Sequence, residues 1–366
     1  MKIGLLTSSR ADFGIYLPLA KALENDRFFH LEIIAFGTHL SENHGETISE
    51  IKQNGFETIH EIKTLPKSDS ALHISESIGE TIKSFSEFWN THEFDLVFCL
   101  GDRYEMFAAV SASTPFNVKF AHLHGGETTL GAIDNGYRHA LSLFSKMVFV
   151  STEEYKKRAE EIVEDTVQVL NVGALSVDNL KNVNFLTKTQ FKDKFNIDLE
   201  IPTLLSTFHP ETVALSKNKD YIQELVEAFK VLENDFQILI TLPNTDTMGQ
   251  MIRDHLLEYG KNNPKVKIVE SLGMLGYLSA IKHCEMLVGN TSSGFVEATY
   301  FPKYVVNLGN RQSGRIITAN IKTIDIFKSE IVNTVKTLQS KPNLQDLNVY
   351  GKGNTASLII DVLKKI

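Results

Sequence analysis

Short apolar runs recur along the chain, and between most of them lies a longer stretch whose apolar positions repeat at helical spacing. In the first half the runs predict strands at Lys2–Thr7, Leu31–Phe36, Asp95–Leu100, Val118–His122, Met147–Val150 and Val167–Val172. The stretches between them predict helices at Tyr16–Asn25, near Glu46–Gln53, and at Ala71–Asn90, Tyr104–Ser113, Asn135–Leu143 and Thr152–Ile162. Ser151, with Glu154 three residues on, reads as a capping box for the last of these. The second half repeats the pattern. Strands are expected at Thr203–Phe208, Gln237–Leu242, Val266–Glu270, Glu285–Val288 and Tyr304–Asn307, and helices at Tyr221–Leu232, Thr247–Tyr259, Met274–Ile281, Gly294–Tyr300 and Glu330–Leu338. Thr355–Ile366 is amphipathic, while Gly173–Asn196 is polar and holds no strand-like run, so the domain boundary is expected there.

Strands alternating with helices build parallel sheets covered on both faces. The predicted fold is therefore α/β, with two Rossmann-like doubly wound domains at residues 1–175 and 176–350 and a terminal segment at 351–366. Open parallel sheets bind ligands beyond the carboxyl ends of their strands, which predicts a ligand in a cleft between the two domains. The length of 366 residues suits two cores better than one.

The formal charge of −8 argues against a nucleic-acid partner. An anionic ligand would have to be held locally, by a few Arg and His side chains and by helix N-termini. Cys99 and Cys284 each lie in or beside an apolar run and read as small buried hydrophobes, so no disulfide is expected and a reducing compartment fits. The apolar run at the N-terminus is too short for a secretory signal, and no stretch approaches a membrane span. A cytoplasmic protein without a membrane partner is the expectation.

The residues with chemistry fall just after the strands. Ser8-Ser9-Arg10-Ala11-Asp12-Phe13-Gly14 follows the first, where Arg10 suits an anion and the loop equally suits a cap. Asp102, in Gly101-Asp102-Arg103, is either a base at a strand end or a helix cap. The densest cluster of titratable groups runs from His122-Leu123-His124-Gly125-Gly126-Glu127 to Asp134-Asn135-Gly136-Tyr137-Arg138-His139. Its paired glycines allow close approach, and Asp134 and Arg138 share a helix face at i, i+4. Neighbouring carboxylates in a partly dry site have their pKa values pushed apart, which suits separate acid and base roles. His122, His124, Glu127 and His139 are a possible ligand set, but the His-x-His spacing lacks an accompanying metal-binding helix motif, and no metal is expected.

In the second half His209 leaves a strand end in His209-Pro210-Glu211-Thr212, and Asn244 and Asp246 suit capping or ligand contacts. The strongest phosphate signal is Gly289-Asn290-Thr291-Ser292-Ser293-Gly294, a turn of small residues leading into a helix, with Glu297 one turn on and within reach of ribose hydroxyls. Ser292 or Ser293 as a plain N-cap is the competing reading. Leu308-Gly309-Asn310-Arg311-Gln312-Ser313-Gly314-Arg315 adds two arginines in a glycine-containing loop.

Taken in order, Arg10-Ala11-Asp12-Phe13-Gly14, Gly101-Asp102-Arg103, His124-Gly125-Gly126-Glu127, Asp134 with Arg138-His139, His209-Pro210, Gly289–Gly294 and Arg311–Arg315 resemble the hydrolysing UDP-N-acetylglucosamine 2-epimerases of bacterial sialic acid synthesis, and their relatives acting on UDP-N,N′-diacetylbacillosamine for legionaminic acid. The resemblance spans essentially the whole chain. It implies a glycosyltransferase B-type fold whose C-terminal helix packs back on the first domain, a UDP-sugar ligand, no cofactor, no metal, and a homodimer or homotetramer, with the Ala71–Asn90 helix a candidate contact. It also implies elimination of UDP with loss of the C2 proton, followed by hydration of the 2-acetamidoglycal to a free manno-configured sugar.

By position, Asp102 and Glu127 resemble the base and acid, Asp134 a third carboxylate, and His209 the group facing the leaving diphosphate. Arg10, Arg138, Asn244, Ser292, Ser293, Gly294, Glu297 and Arg315 resemble nucleotide-sugar contacts. Some relatives carry Glu where this chain has His124, so either His124 or Glu127 fills that slot; Asn135 stands where some have a second Asp. UDP-N-acetylglucosamine is the expected substrate, with the diacetylbacillosamine nucleotide as the alternative. A non-hydrolysing epimerase or a UDP-sugar glycosyltransferase would use the same fold, and a non-catalytic UDP-sugar sensor would not need the carboxylates that this chain retains.

Overall fold

A computed structural model describes residues 1–41, 47–65, 68–243, 246–342, 344, 347 and 349–366. Residues 1–127, 134–181 and 350–366 pack as one unit, and residues 128–133 and 182–349 as a second.

In the first unit the order is β1 (Lys2–Thr7), α1 (Arg10–Glu24), β2 (His30–Phe36), α2 (Ile48–Gln53), β3 (Ile59–Ile62), α3 (Ala71–Trp89), β4 (Leu96–Leu100), α4 (Tyr104–Ser111), β5 (Phe120–Leu123), α5 (Asp134–Phe144), β6 (Met147–Val150), α6 (Glu153–Glu160), β7 (Gln168–Asn171) and α7 (Leu175–Asn182). The strands form one parallel sheet in the order β3-β2-β1-β4-β5-β6-β7. Alternate residues of each strand serve opposite faces. Ile33 and Ala35 join the core beneath α1, whereas Ile34 and Phe36 join Phe85, Phe88 and Trp89 of α3 on the other side. The order reverses between β1 and β4, which makes the carboxyl ends of those two strands the switch point where open sheets bind ligands.

The second unit continues with α8 (Lys188–Phe195), β8 (Thr203–Thr207), α9 (Asn218–Leu232), β9 (Gln237–Thr241), α10 (Gly249–Gly260), β10 (Val266–Val269), α11 (Gly273–His283), β11 (Met286–Gly289), α12 (Glu297–Tyr300), β12 (Tyr304–Leu308), β13 (Ile321–Ile324) and α13 (Lys328–Gln339). Its parallel sheet runs β10-β9-β8-β11-β12-β13, with the switch between β8 and β11. Both sheets are α/β and doubly wound. The last helix, α14 (Thr355–Leu363), belongs to the first unit: Ala356, Ile359, Ile360 and Leu363 complete the core beneath α1, and the Asp178 carboxylate accepts from the backbone N–H groups of Thr355 (2.9 Å) and Ala356 (2.7 Å).

Several elements differ from the expectations. β3 and β13 were not predicted; both are edge strands with partly exposed residues, so neither shows an apolar run. The polar segment after Gly173 carries α7 and α8. α1 begins at Arg10 rather than Tyr16, because Ser9 caps it and Gly14 is tolerated inside it, as is Pro18 within the predicted span. Pro18 has no N–H to give to the Gly14 carbonyl, and the Asn179 amide donates to that oxygen instead, at 2.7 Å. The cap of α6 is Thr152, whose hydroxyl accepts from Tyr155 N–H, so the Ser151–Glu154 capping box does not form. The helix expected over Gly294–Tyr300 is broken into a 3₁₀ turn, Ser292–Gly294, and the short α12.

Among the described residues no helix is long and apolar enough to cross a membrane.

Candidate functional site

In the first unit one guanidinium organises the carboxylates. Arg138, on α5, is buried, and its two terminal nitrogens go to different elements. One is hydrogen-bonded to the Asp102 carboxylate at the end of β4; the other donates to the His124 carbonyl at 2.9 Å and lies 3.8 Å from Glu127. The i, i+4 reading had matched Arg138 with Asp134. The guanidinium instead turns to Asp102 and to the buried Glu127.

Asp102 is not the cap of α4, since Arg103 holds that position. His124 adopts a left-handed backbone (φ +66°), and its Nδ1 lies 2.7 Å from Glu127 Oε1. Ser151, freed from capping, donates its hydroxyl to the same Glu127 oxygen at 3.5 Å. Glu127 is thus buried behind His124, with its side chain only 3% exposed, while the Asp102 side chain is 22% exposed.

The two glycines between His124 and Glu127 are steric requirements. A Cβ on Gly125 would stand 2.2 Å from Val148 Cγ1, and one on Gly126 (φ +70°) would stand 2.0 Å from the Tyr155 carbonyl oxygen.

His122 does not join a ligand set. It is fully buried, with Nε2 2.8 Å from the Gly101 carbonyl oxygen and Nδ1 2.9 Å from the Ser142 hydroxyl. Burial pushes its pKa down to about 3. Among the described residues no group of three or more His, Cys, Asp or Glu side chains is arranged to hold a metal ion. Cys99 and Cys284 are free and buried.

At the end of β1, Ser8 donates its backbone N–H (3.0 Å) and its hydroxyl (2.6 Å) to Asp12, whose pKa burial raises. Arg10 is partly exposed and 3.4 Å from Glu50. Nearby, His39 is buried between the hydroxyls of Thr7 (2.9 Å) and Thr47 (2.8 Å), and burial pushes its pKa down to about 4.

The second unit has its own lattice of polar contacts at the carboxyl ends of β8, β11 and β12. Asn290 imitates a strand partner: its amide oxygen accepts from His209 N–H at 2.7 Å and its amide nitrogen donates to the His209 carbonyl at 2.8 Å. Gln312 donates to the Asn290 carbonyl at 2.8 Å and accepts from Arg315 Nε at 2.6 Å. His209 and Arg315 are therefore held through one chain of buried amides. Arg311 is tied to Asp246 (3.3 Å) and to the Pro210 carbonyl (3.3 Å).

In the glycine-serine turn the cap is Thr291, not Ser292 or Ser293. Tyr277 lies on α11, where burial raises its pKa, and Glu297 opens α12. A Cβ on Gly289 would meet the Thr207 carbonyl oxygen at 2.2 Å. The segment 128–133 packs here as well: Leu130 N–H donates to the Ser313 carbonyl (3.0 Å) and Ile133 N–H to the Thr212 hydroxyl (2.9 Å). Gly131 sits so close that its Cβ would be 2.4 Å from the Asn310 carbonyl oxygen. Asn244 lies outside the described residues.

The structure thus brings Asp102, His124, Glu127 and Arg138 together in the first unit, and His209 and Arg315 together in the second. Sequence reasoning missed Ser142, gave Ser151 only a capping role, and named Asn290 and Gln312 without a role. The signal for Asn290 was legible: an amide directly after a buried strand, able to pair with both a donor and an acceptor of the neighbouring strand end.

The family model described as UDP-N-acetylglucosamine 2-epimerase matches residues 21–364. A Campylobacter jejuni GDP/UDP-N,N′-diacetylbacillosamine 2-epimerase (hydrolyzing) is 35% identical over 341 residues, covering 93% of this chain and 88% of that protein. A Legionella pneumophila UDP-N,N′-diacetylbacillosamine 2-epimerase (hydrolyzing) is 31% identical over 365 residues, covering 100% of this chain and 96% of that protein. Among solved structures, the Methanocaldococcus jannaschii UDP-GlcNAc 2-epimerase in complex with UDP-GlcNAc and UDP superposes with a TM-score of 0.85 at 20% identity, covering 100% of both chains.

Proposed function

The chain belongs to the UDP-N-acetylglucosamine 2-epimerase family, and from that premise we propose that it is a hydrolysing 2-epimerase acting on UDP-N,N′-diacetylbacillosamine. The observation that carries the substrate is the similarity, at 35% and 31% identity over nearly the whole chain, to two hydrolysing enzymes named for N,N′-diacetylbacillosamine nucleotides, the first for its GDP or UDP form and the second for its UDP form. UDP-N-acetylglucosamine, expected from the sequence, is the second reading, favoured by the description of the family model.

The reaction proceeds in two halves. A base removes the C2 proton as the anomeric C–O bond breaks, giving UDP and a 2-acetamidoglycal. Water then adds its oxygen to C1 while C2 is reprotonated on the opposite face. We assign Asp102 as the C2 base: Arg138 holds its carboxylate in place after β4, and part of its side chain is exposed. We assign the opposite-face proton transfer to His124, with Glu127 as the buried carboxylate that orients its ring through Nδ1. Asp134, at the start of α5, serves the hydration step.

His209 and Arg315 face the leaving diphosphate, and the Ser292–Ser293–Gly294 turn after β11 offers it the hydroxyls of its two serines. Glu297 takes the ribose hydroxyls, and Arg10 a further polar group of the ligand. Each positioned acid or base contributes about 10²–10⁴-fold, or roughly 3–5 kcal/mol.

The test is incubation with each nucleotide sugar in D₂O with EDTA, followed by NMR. Release of UDP and of a C2-deuterated free sugar from the diacetylbacillosamine nucleotide supports the proposal. Release only from UDP-N-acetylglucosamine moves the enzyme to the second reading. UDP-sugar interconversion without release of free sugar refutes the hydrolysing assignment.

A further inference from the structure

We propose that His122 is a positioning residue for Asp102, holding the Gly101–Asp102 turn in register with helix α5. This rests on the assignment of Asp102 as the base.

A carbonyl oxygen can only accept, so the 2.8 Å contact to Gly101 places the ring proton on Nε2. Nδ1 is then the acceptor, and the Ser142 hydroxyl donates to it at 2.9 Å. The ring bridges three elements: Gly101 follows β4, His122 lies on β5, and Ser142 lies on α5.

Arg138 is one helical turn before Ser142 on the same helix, so α5 grips the turn at two points. Arg138 holds the Asp102 carboxylate directly, and Ser142 holds the preceding peptide through His122. The second grip matters because Gly101 has φ +77°, a region in which glycine peptides reorient at little cost. Without the imidazole N–H, nothing in the glycine itself fixes the direction of its carbonyl, and the Asp102 backbone follows that direction.

Space for this bridge is reserved by Gly125, whose Cβ would come within 3.2 Å of Ser142 Oγ and 3.5 Å of His122 Nδ1. Burial keeps the ring neutral, which preserves the donor-acceptor pattern across the physiological range.

The proposal separates two substitutions of similar bulk. His122→Gln retains a side-chain N–H close to the position of Nε2, whereas His122→Leu retains none. With the nucleotide sugar that the wild type turns over, His122→Leu is expected to lower kcat by about 10²-fold, the scale of a misplacement near 1 Å, with KM changed less than about threefold. His122→Gln is expected to recover at least about tenfold of that loss, and UDP affinity by calorimetry to stay at the wild-type value in both.

Equal kcat losses in the Leu and Gln variants, at wild-type unfolding midpoints, would overturn the inference, as would a Leu variant with wild-type kcat. Should the Leu variant fail to fold, Ser142→Ala decides: a drop in kcat at constant KM supports the bridge, and unchanged kcat overturns it. A wild-type chain inert toward every nucleotide sugar overturns the proposed function and this inference together, whereas an active wild type with indifferent variants overturns this inference alone.

Discussion

The first unit carries an acid sensitivity that can be calculated from two residues. His39 and His122 are buried as neutral rings, and burial pushes their pKa values from 6.5 to about 4 and about 3. In the unfolded chain both recover values near 6.5. The folded pKa is depressed, so the stability associated with each neutral ring is present in full above pH 6.5 and is lost as pH falls toward the folded value. At pH 5 each unfolded imidazole is 1.5 units below its pKa; 1.5 × 1.36 kcal/mol is about 2 kcal/mol per residue, or about 4 kcal/mol for the pair. At pH 7 the two together account for only a few tenths of a kcal/mol.

His139, lowered by the same burial effect, adds in the same direction. Asp12, raised by burial, works oppositely and favours the folded state as pH falls through its elevated value. Asp26 and Glu32 are lowered carboxylates that lose their contribution only below their ordinary range, outside this window. The chain has a single tryptophan, Trp89, buried in the first unit, so its fluorescence during urea unfolding reports that unit. The expectation is a steep loss of urea resistance from pH 7 to pH 5, flattened by about 1.4 kcal/mol per pH unit in His39→Gln and again in His122→Gln. A stability that stays level over this range, or a slope that neither variant changes, would refute the burial argument.

Three further outcomes follow from the packing and the polar contacts. Asp102→Asn is expected to abolish turnover while UDP binding, measured by calorimetry, stays within about twofold of wild type; loss of both would end the separation of chemistry from nucleotide binding. Gly126→Ala forces a Cβ against the Tyr155 carbonyl at a left-handed position, and should cost about 3 kcal/mol or more in urea unfolding followed at Trp89, with loss of activity. Asn290→Ala removes both amide contacts to the His209 backbone, which should cost about 1–3 kcal/mol of stability and weaken UDP binding at least about tenfold by calorimetry.

The interior of each sheet was legible because buried parallel strands are continuous apolar runs, as in the LVFCL of β4 and the QILIT of β9. Edge strands β3 and β13 were not, since IHEI and IKTI alternate or mix polarity in keeping with their partial exposure. Helix α1 starts earlier than predicted because Ser8–Gly14, with its glycine, reads locally as a loop, whereas Ser9 caps a helix there; Asn179, distant in sequence, makes Pro18 tolerable inside it. At the site, the placement of Asp102 and His209 after strands was readable, since strand ends can be counted. The identity of Arg138's partner was not: helix periodicity offers Asp134, and only the fold shows that the guanidinium reaches β4 and the Glu127 loop. Ser151 illustrates the same limit, its hydroxyl going to Glu127 instead of to the helix it precedes.

Helix α14 has a consequence for biosynthesis. Ala356, Ile359, Ile360 and Leu363 fill the core beneath α1, yet they are made after the whole of residues 182–349. The nascent chain must therefore hold an open apolar face, the surface of α1 and β1, through synthesis of the entire second unit. Domains translated first usually close first; here the earliest begins its core at the first strand and closes it with the final helix. Until that moment the exposed face is a natural ligand for a chaperone, and a stall on the ribosome before residue 355 releases a chain with one complete unit and one that cannot seal.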